Sequence, residues 1–260
     1  MADMTRRRMV KAVRALLPFL ILLAIVSAIS QSIYGSICVL TVGPITLSCP
    51  LGFLQASLAS RGLVIGLLIP AIIVIGATIL LGRFFCGWIC PAGPAMQGLE
   101  NISHHQTTGE RLKGFAQENK ARIALLASVL LASAVLRYPV FCIVCPVGII
   151  YRNAISFTEH GSIGMDLIFI PLLVALEIGL APWCSRICPL GTLFTILGRK
   201  NLVAPSVNKA KCTSCLICTR VCKMGVALLS GRNWESCSKC LDCSLQCPTK
   251  AIEWRRRTQT

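Results

Sequence analysis

The chain has 260 residues, of which 55% are hydrophobic and only 14% charged, and its mean hydropathy is +0.72. That apolar content exceeds what a soluble domain of this length needs, and it predicts membrane spans. The net charge of +16 does not point to nucleic acid, because the basic residues gather at the ends of apolar runs and in the tail, as in membrane orientation.

Residues 1–14 carry Arg6, Arg7, Arg8, Lys11 and Arg14 against one acid, Asp3. The apolar run over residues 15–37 is expected to be the first span, with a signal peptide cleaved near Val26-Ser27-Ala28 as its rival. Either reading places Cys38 outside. Residues 38–61 form an outer loop with Cys49-Pro50-Leu51-Gly52. Residues 62–82 are an uncharged stretch of 21, enough to cross about 30 Å of hydrocarbon. The segment from Arg83 to Arg122 opens with Arg83-Phe84-Phe85-Cys86-Gly87-Trp88-Ile89-Cys90-Pro91 and is expected on the cytoplasmic side. The third span covers residues 123–140, a second outer segment holds Cys142-x-x-Cys145-Pro146-Val147-Gly148, and the fourth span covers residues 164–181. From Arg186 to the end there are 13 Lys and Arg against three acids, which places both termini in the cytoplasm.

The tail carries the most specific signal. Cys212-x-x-Cys215-x-x-Cys218-x-x-x-Cys222 recurs as Cys237-x-x-Cys240-x-x-Cys243-x-x-x-Cys247-Pro248. This is the bacterial ferredoxin run, in which the fourth cysteine ligates the other cluster. One [4Fe–4S] cluster is therefore assigned to Cys212, Cys215, Cys218 and Cys247, and the second to Cys237, Cys240, Cys243 and Cys222. Zinc sites pair their ligands rather than running four together. The residue after Cys222 is Lys223 instead of the usual proline, which removes no ligand. Sixteen cysteines at such spacings imply electron transfer, with the tail in a reducing compartment.

An internal repeat organises the first 200 residues. Cys-Pro-x-Gly occurs at Cys49, Cys90, Cys145 and Cys188. Cys86 and Cys90 recur 98 residues on as Cys184 and Cys188, and Cys49 recurs 96 residues on as Cys145. Two parallel units around a pseudo-two-fold axis would gather Cys86, Cys90, Cys184 and Cys188 into an inner cluster site. Buried, inert thiols are the plainer reading. The outer cysteines Cys38, Cys49, Cys142 and Cys145 fit a further cluster, disulfides or free thiols, or copper. Glu177 lies within the fourth span, and an ionisable residue there is a candidate proton acceptor for a quinol or a carboxyl paired with another span. His104-His105 reads as part of a solvated loop, and Trp88, Trp183 and Phe84-Phe85 as an aromatic belt. Arg255-Arg256-Arg257 reads as a solvated or lipid-facing cluster.

Four spans, Cys86-Gly-Trp-Ile-Cys90-Pro, Cys184-Ser-Arg-Ile-Cys188-Pro-Leu-Gly and a two-cluster tail together resemble the NapH family of membrane quinol dehydrogenase subunits. The junction Leu197-Gly198-Arg199-Lys200-Asn201-Leu202 is similar too, so the resemblance covers nearly the whole chain. The NosR C-terminal region and the CcoG oxidase-assembly proteins are related. The resemblance implies electron transfer between the quinone pool and a partner redox protein, with the cluster roles on Cys86, Cys90, Cys184 and Cys188 and on the eight tail cysteines. The outer cysteines are additional to that pattern.

The expected architecture is an all-α four-helix transmembrane bundle over residues 1–200, made of two duplicated two-span units, followed by an α+β ferredoxin domain over residues 201–260. The expected protein is a multi-pass protein of the inner membrane, with lipid, menaquinone and a partner redox protein as its partners and no nucleic acid. Its cofactors are two [4Fe–4S] clusters and one or two more in the membrane half. The alternatives are copper reduction for a client enzyme, by analogy with CcoG, and a membrane anchor that wires a soluble oxidoreductase. No nucleotide or flavin fingerprint is present, which argues against direct use of NADH.

Overall fold

The computed structural model describes residues 2–29, 39–42, 45–90, 92–94, 115–161, 164–179, 183–231 and 233–256. Helix α1 (Ala2–Ile29) carries the basic segment into an apolar second half. Strands β1 (Val39–Val42) and β2 (Ile45–Ser48) form an antiparallel hairpin, with Val39 opposite Ser48, that delivers the chain to Cys49. There follow α2 (Pro50–Ser60), α3 (Ile65–Leu81), the one-turn α4 (Phe84–Trp88) and the longer α5 (Phe115–Leu136). The short α6 (Val140–Val144) leads into α7 (Pro146–His160). A 3-10 turn at Met165–Ile168 enters α8 (Phe169–Gly179), and a π-helical turn at Trp183–Ile187 enters α9 (Pro189–Leu197).

Helices α2, α5 and α9 pack on one another, and α3 lies against α2 and α9. Leu51, Leu126, Phe141, Ile149 and Trp183 form the core between them. These residues come from α2, α5, α6, α7 and the π turn, so one apolar cluster ties together segments far apart in the sequence. Burial of that apolar surface is the main force that brings them together.

The expected four-span membrane bundle is corrected here. Among the described residues no helix is long and apolar enough to cross a membrane. The apolar runs are broken or shared with polar turns. Helix α3 has 17 residues, about 25 Å of axis, short of the ~30 Å of a bilayer core. The run expected as the fourth span folds instead as the four-residue 3-10 turn and an α8 of 11 residues. Helix α5 has Gln117, Glu118, Asn119, Lys120 and Arg122 in its first turns, and α1 begins in the basic segment and contains Pro18. The multi-pass placement in the inner membrane is corrected by the same finding.

In the tail, β3 (Val203–Val207) pairs antiparallel with β4 (Ile252–Arg256), with Val203 opposite Arg256 and Val207 opposite Ile252. Two short helices, α10 (Ile217–Arg220) and α11 (Asp242–Gln246), touch each other between the strands. The pairing closes both cysteine runs into one unit, and the 3-10 turn Trp234–Ser236 rests on α9.

Candidate metal centres

The two tail runs take the same backbone path. Ser214 and Leu216 in the first run, and Lys239 and Leu241 in the second, have positive φ of 55°, 59°, 55° and 66°. A leucine in the left-handed region costs about 1–2 kcal/mol, and such strain is kept where the surroundings require it. Here it turns backbone N–H groups toward sulfur. The amides of Ser214 and Lys239 each donate to the Sγ of Cys212 and Cys237 at 3.4 Å. Those of Val226 and Ala251 each donate to the Sγ of Cys222 and Cys247 at 3.3 Å.

The fourth cysteines cross over. Cys212, Cys215, Cys218 and Cys247 line one cavity, and Cys237, Cys240, Cys243 and Cys222 line a second. Two four-cysteine cavities with matched sulfur–amide bonds suit two copies of one group. Four thiolates with N–H donors around them are the donor set of a [4Fe–4S] cluster. Burial pushes the Cys237 thiol up to about 12 and the Cys240 thiol up to about 11, and it raises Cys243 as well. At neutral pH these thiols are protonated, so metal binding there releases protons. Cys247 differs. Burial pushes it up, but the amides of Ala251, Thr249 and Ile252 and the Thr249 hydroxyl together hold it below its ordinary value.

The second cavity is fastened to the first half of the chain. Arg14 on α1 donates from Nε to the Gly87 carbonyl at 3.1 Å and from Nη1 to the Cys240 carbonyl at 3.2 Å. The same Nη1 is 3.1 Å from Asp242 Oδ2, with the two side chains only 7% and 12% exposed. Trp88 Nε1 donates to the Lys239 carbonyl at 3.0 Å. A Cβ on Gly87 would run into the Ser238 carbonyl, so the two loops touch backbone to backbone. Gly87 follows Cys86 and Ser238 follows Cys237, which sets a tail cavity directly beside the Cys86 turn.

Around that turn the Cys-Pro-x-Gly segments share one geometry. Cys49, Cys145 and Cys188 cap α2, α7 and α9 with φ/ψ of −68°/128°, −63°/120° and −62°/111°, each with proline at the first helical position. The Cys90 amide donates to the Phe85 carbonyl at 2.9 Å and that of Cys188 to the Trp183 carbonyl at 2.8 Å. Both span five residues, the π-type widening that recurs at functional sites. Cys90 thus stands beyond the end of α4, while Cys86 lies within it. The motif's glycines serve close approach: a Cβ on Gly93, Gly148 or Gly191 would meet the carbonyl of Cys86, Cys142 or Cys184.

The structure groups these cysteines differently from the inner and outer sets of the sequence. Cys49, Cys145, Cys184 and Cys188 pack on the same core. Cys90 is within electrostatic reach of Cys86, Cys145 and Cys188, and Cys49 within reach of Cys145 and Cys86. Burial pushes Cys49 up to about 11 and Cys188 up to about 12. Beside them lies Arg83, only 1% exposed. It donates from Nη2 to the Cys184 carbonyl at 2.8 Å, and its charge offsets part of the upward push that burial gives the Cys86 thiol, while its Nε and Nη1 have no partner among the described residues. The sequence marked Arg83 and Arg14 only as signs of orientation. Nothing in a single sequence distinguishes a buried arginine from one at a membrane edge.

Cys142 is disulfide-bonded, whereas Cys49 and Cys145 are free. Cys38 and His104-His105 lie outside the described residues, and so does the side chain of Glu177, although Glu177 itself falls in α8. Among the described residues no group of three or more His, Cys, Asp or Glu side chains is set to hold a single metal ion. A cubane differs, because each cysteine takes its own iron and the sulfurs stand apart by the width of the cluster.

Comparison with known proteins agrees with this chemistry. A family model described as a 4Fe-4S binding domain matches residues 63–107, 121–157 and 164–207. The matched stretches contain Cys86, Cys90, Cys142, Cys145, Cys184 and Cys188 and stop before the tail cysteines. The chain is 30% identical over 236 residues to the ferredoxin-type protein NapH of Haemophilus influenzae, covering 84% of this chain and 78% of that one. It is 28% identical over 202 residues to an uncharacterised protein of Methanocaldococcus jannaschii, covering 75% and 81%. It is 30% identical over 164 residues to the methylamine utilization ferredoxin-type protein MauN of Methylorubrum extorquens, covering 61% and 53%. No solved structure matches.

Proposed function

The chain belongs to the NapH-type family of ferredoxin-type proteins and is an iron–sulfur electron-transfer protein; on that premise we propose that it relays electrons between a quinone of the menaquinone kind and a partner redox protein. The observation that carries this reading is the docking of the Cys237–Asp242 loop on the Cys86–Trp88 turn, through Arg14, Trp88 and the Gly87–Ser238 contact. It supplies a short route between the tail and the cysteines of the first half. When bound, each [4Fe–4S] cluster takes up and gives back one electron. Cys212, Cys215, Cys218 and Cys247 would hold one, and Cys237, Cys240, Cys243 and Cys222 the other.

An apolar carrier suits the surface that leads to this route. Helix α3 runs into the Cys86 turn and exposes Ile69, Ile72, Ile73 and Leu80. Oxidation of a quinol releases two electrons, which pass singly to the clusters, and two protons. Glu177 is the proposed acceptor for one proton, and water takes the other.

The test is anaerobic reduction of the full chain by a menaquinol analogue, followed by EPR, with dithionite as control. Reduction by the quinol and reoxidation by the quinone are expected, and Glu177→Gln should slow the exchange by roughly 100-fold with the clusters intact. Clusters that dithionite reduces but no quinol or quinone touches would remove the quinone from the account and leave the relay.

A further inference from the structure

We infer that Cys49, Cys90, Cys145 and Cys188, the four cysteines that open the Cys-Pro-x-Gly segments, together hold a third iron–sulfur cluster where those segments meet. The inference departs from the sequence grouping, which paired Cys90 and Cys188 with Cys86 and Cys184 and set Cys49 and Cys145 apart. It rests on the iron–sulfur reading of the chain and is independent of the quinone.

Equivalence of local structure comes first. Cys49, Cys145 and Cys188 hold the same extended capping conformation ahead of a proline-started helix. Each of the four carbonyls accepts an N–H from the turn that follows it: Phe53 for Cys49 at 2.9 Å, Gly93 for Cys90 at 3.1 Å, Ile149 for Cys145 at 2.9 Å and Thr192 for Cys188 at 3.1 Å. Neither Cys86 nor Cys184 stands at such a helix start. Cys86 lies inside α4 with its thiol beside the Arg83 charge, and Cys184 lies inside the π turn.

Convergence and charge follow. Cys49, Cys145 and Cys188 border one core cluster together with Cys184, and Cys90 is within electrostatic reach of Cys86, Cys145 and Cys188, so it is local structure that separates the four from Cys86 and Cys184. Three helices of 11, 15 and 9 residues thus begin at this point, and each brings the positive end of its dipole. Arg83 adds a full charge, buried, with Nε and Nη1 unpartnered among the described residues. A buried cation with spare donors is costly unless an anion lies near. Four thiolates around a cluster supply that anion. Each thiol loses its proton as it takes an iron, so no oxidant or reductant is consumed in ligation. Thiolates also suit zinc and Cu(I), and iron with acid-labile sulfide tells a cluster from either ion.

The experiment is iron and acid-labile sulfide per full chain after strictly anaerobic purification, with EPR of the reduced sample. About twelve irons are expected, four from each cluster. Cys49→Ala and Cys145→Ala should each fall to about eight with the tail signals kept, and Cys184→Ala should stay at about twelve. About eight irons in the unaltered chain, full iron in Cys49→Ala and Cys145→Ala, or loss of four from Cys184→Ala would each overturn the inference. Alkylation of the unaltered protein covers the case of a variant that fails to fold. Cys49, Cys90, Cys145 and Cys188 should become reactive together when a chelator strips the iron. Independent reactivity of any one of them before stripping would count against the site. A quinol that fails to reduce the protein leaves these counts unchanged, so the two readings fail separately.

Discussion

Arg14→Ala should lower stability by about 3 kcal/mol, measured by anaerobic chemical unfolding of the full chain, because it leaves a largely buried Asp242 carboxylate unpaired. The substitution also removes the bonds to the Gly87 and Cys240 carbonyls, so the tail loses its main polar fastening to the first half. Arg8, exposed on the same helix, is the control, and Arg8→Ala should change stability by less than about 0.5 kcal/mol. Electron transfer between tail and first half should slow in Arg14→Ala even where both clusters remain. A loss below about 1 kcal/mol would mean that the bridge is not a structural fastening.

Gly87→Ala should be nearly as damaging, at about 1–3 kcal/mol, because the new methyl group would run into the Ser238 carbonyl and backbone cannot rotate away. Gly76→Ala on α3 is the matched comparison. Among the described residues nothing lies within 4 Å of the methyl group there, and replacing a mid-helix glycine should raise stability by about 0.5–1 kcal/mol. Opposite signs in the same unfolding assay would identify close loop contact, rather than glycine flexibility, as the reason for glycine at position 87. Equal small effects would show that the two loops can separate freely.

What could be read from the sequence depended on the range of the interaction. The tail was legible because its information is local: the spacing of two, two and three residues between cysteines already dictates which sulfurs reach a common point. The structure brings together the same two sets of four, Cys247 with the first run and Cys222 with the second. The Cys-Pro-x-Gly repeat was equally visible, but the meeting of its members was not. Assigning residues 62–82, 123–140 and 164–181 to membrane spans forced Cys49 and Cys145 to one side and Cys90 and Cys188 to the other. Hydropathy counts apolar residues and does not see where a run changes from 3-10 to α-helix at Phe169. It does not see that α3 stops at 17 residues either. The partners of Arg14 and Arg83 lie 228 and 101 residues away, beyond any local signal.

The wiring of the tail is the central claim, and the double variant Cys222→Ala/Cys237→Ala tests it most directly, read as iron and sulfide lost relative to the unaltered chain. If Cys222 and Cys237 serve one cluster, the two substitutions remove only that cluster, and the loss should be about four irons and four sulfides. If Cys222 instead belongs with Cys212, Cys215 and Cys218, the pair damages both clusters. A loss of about eight would then contradict the crossed arrangement.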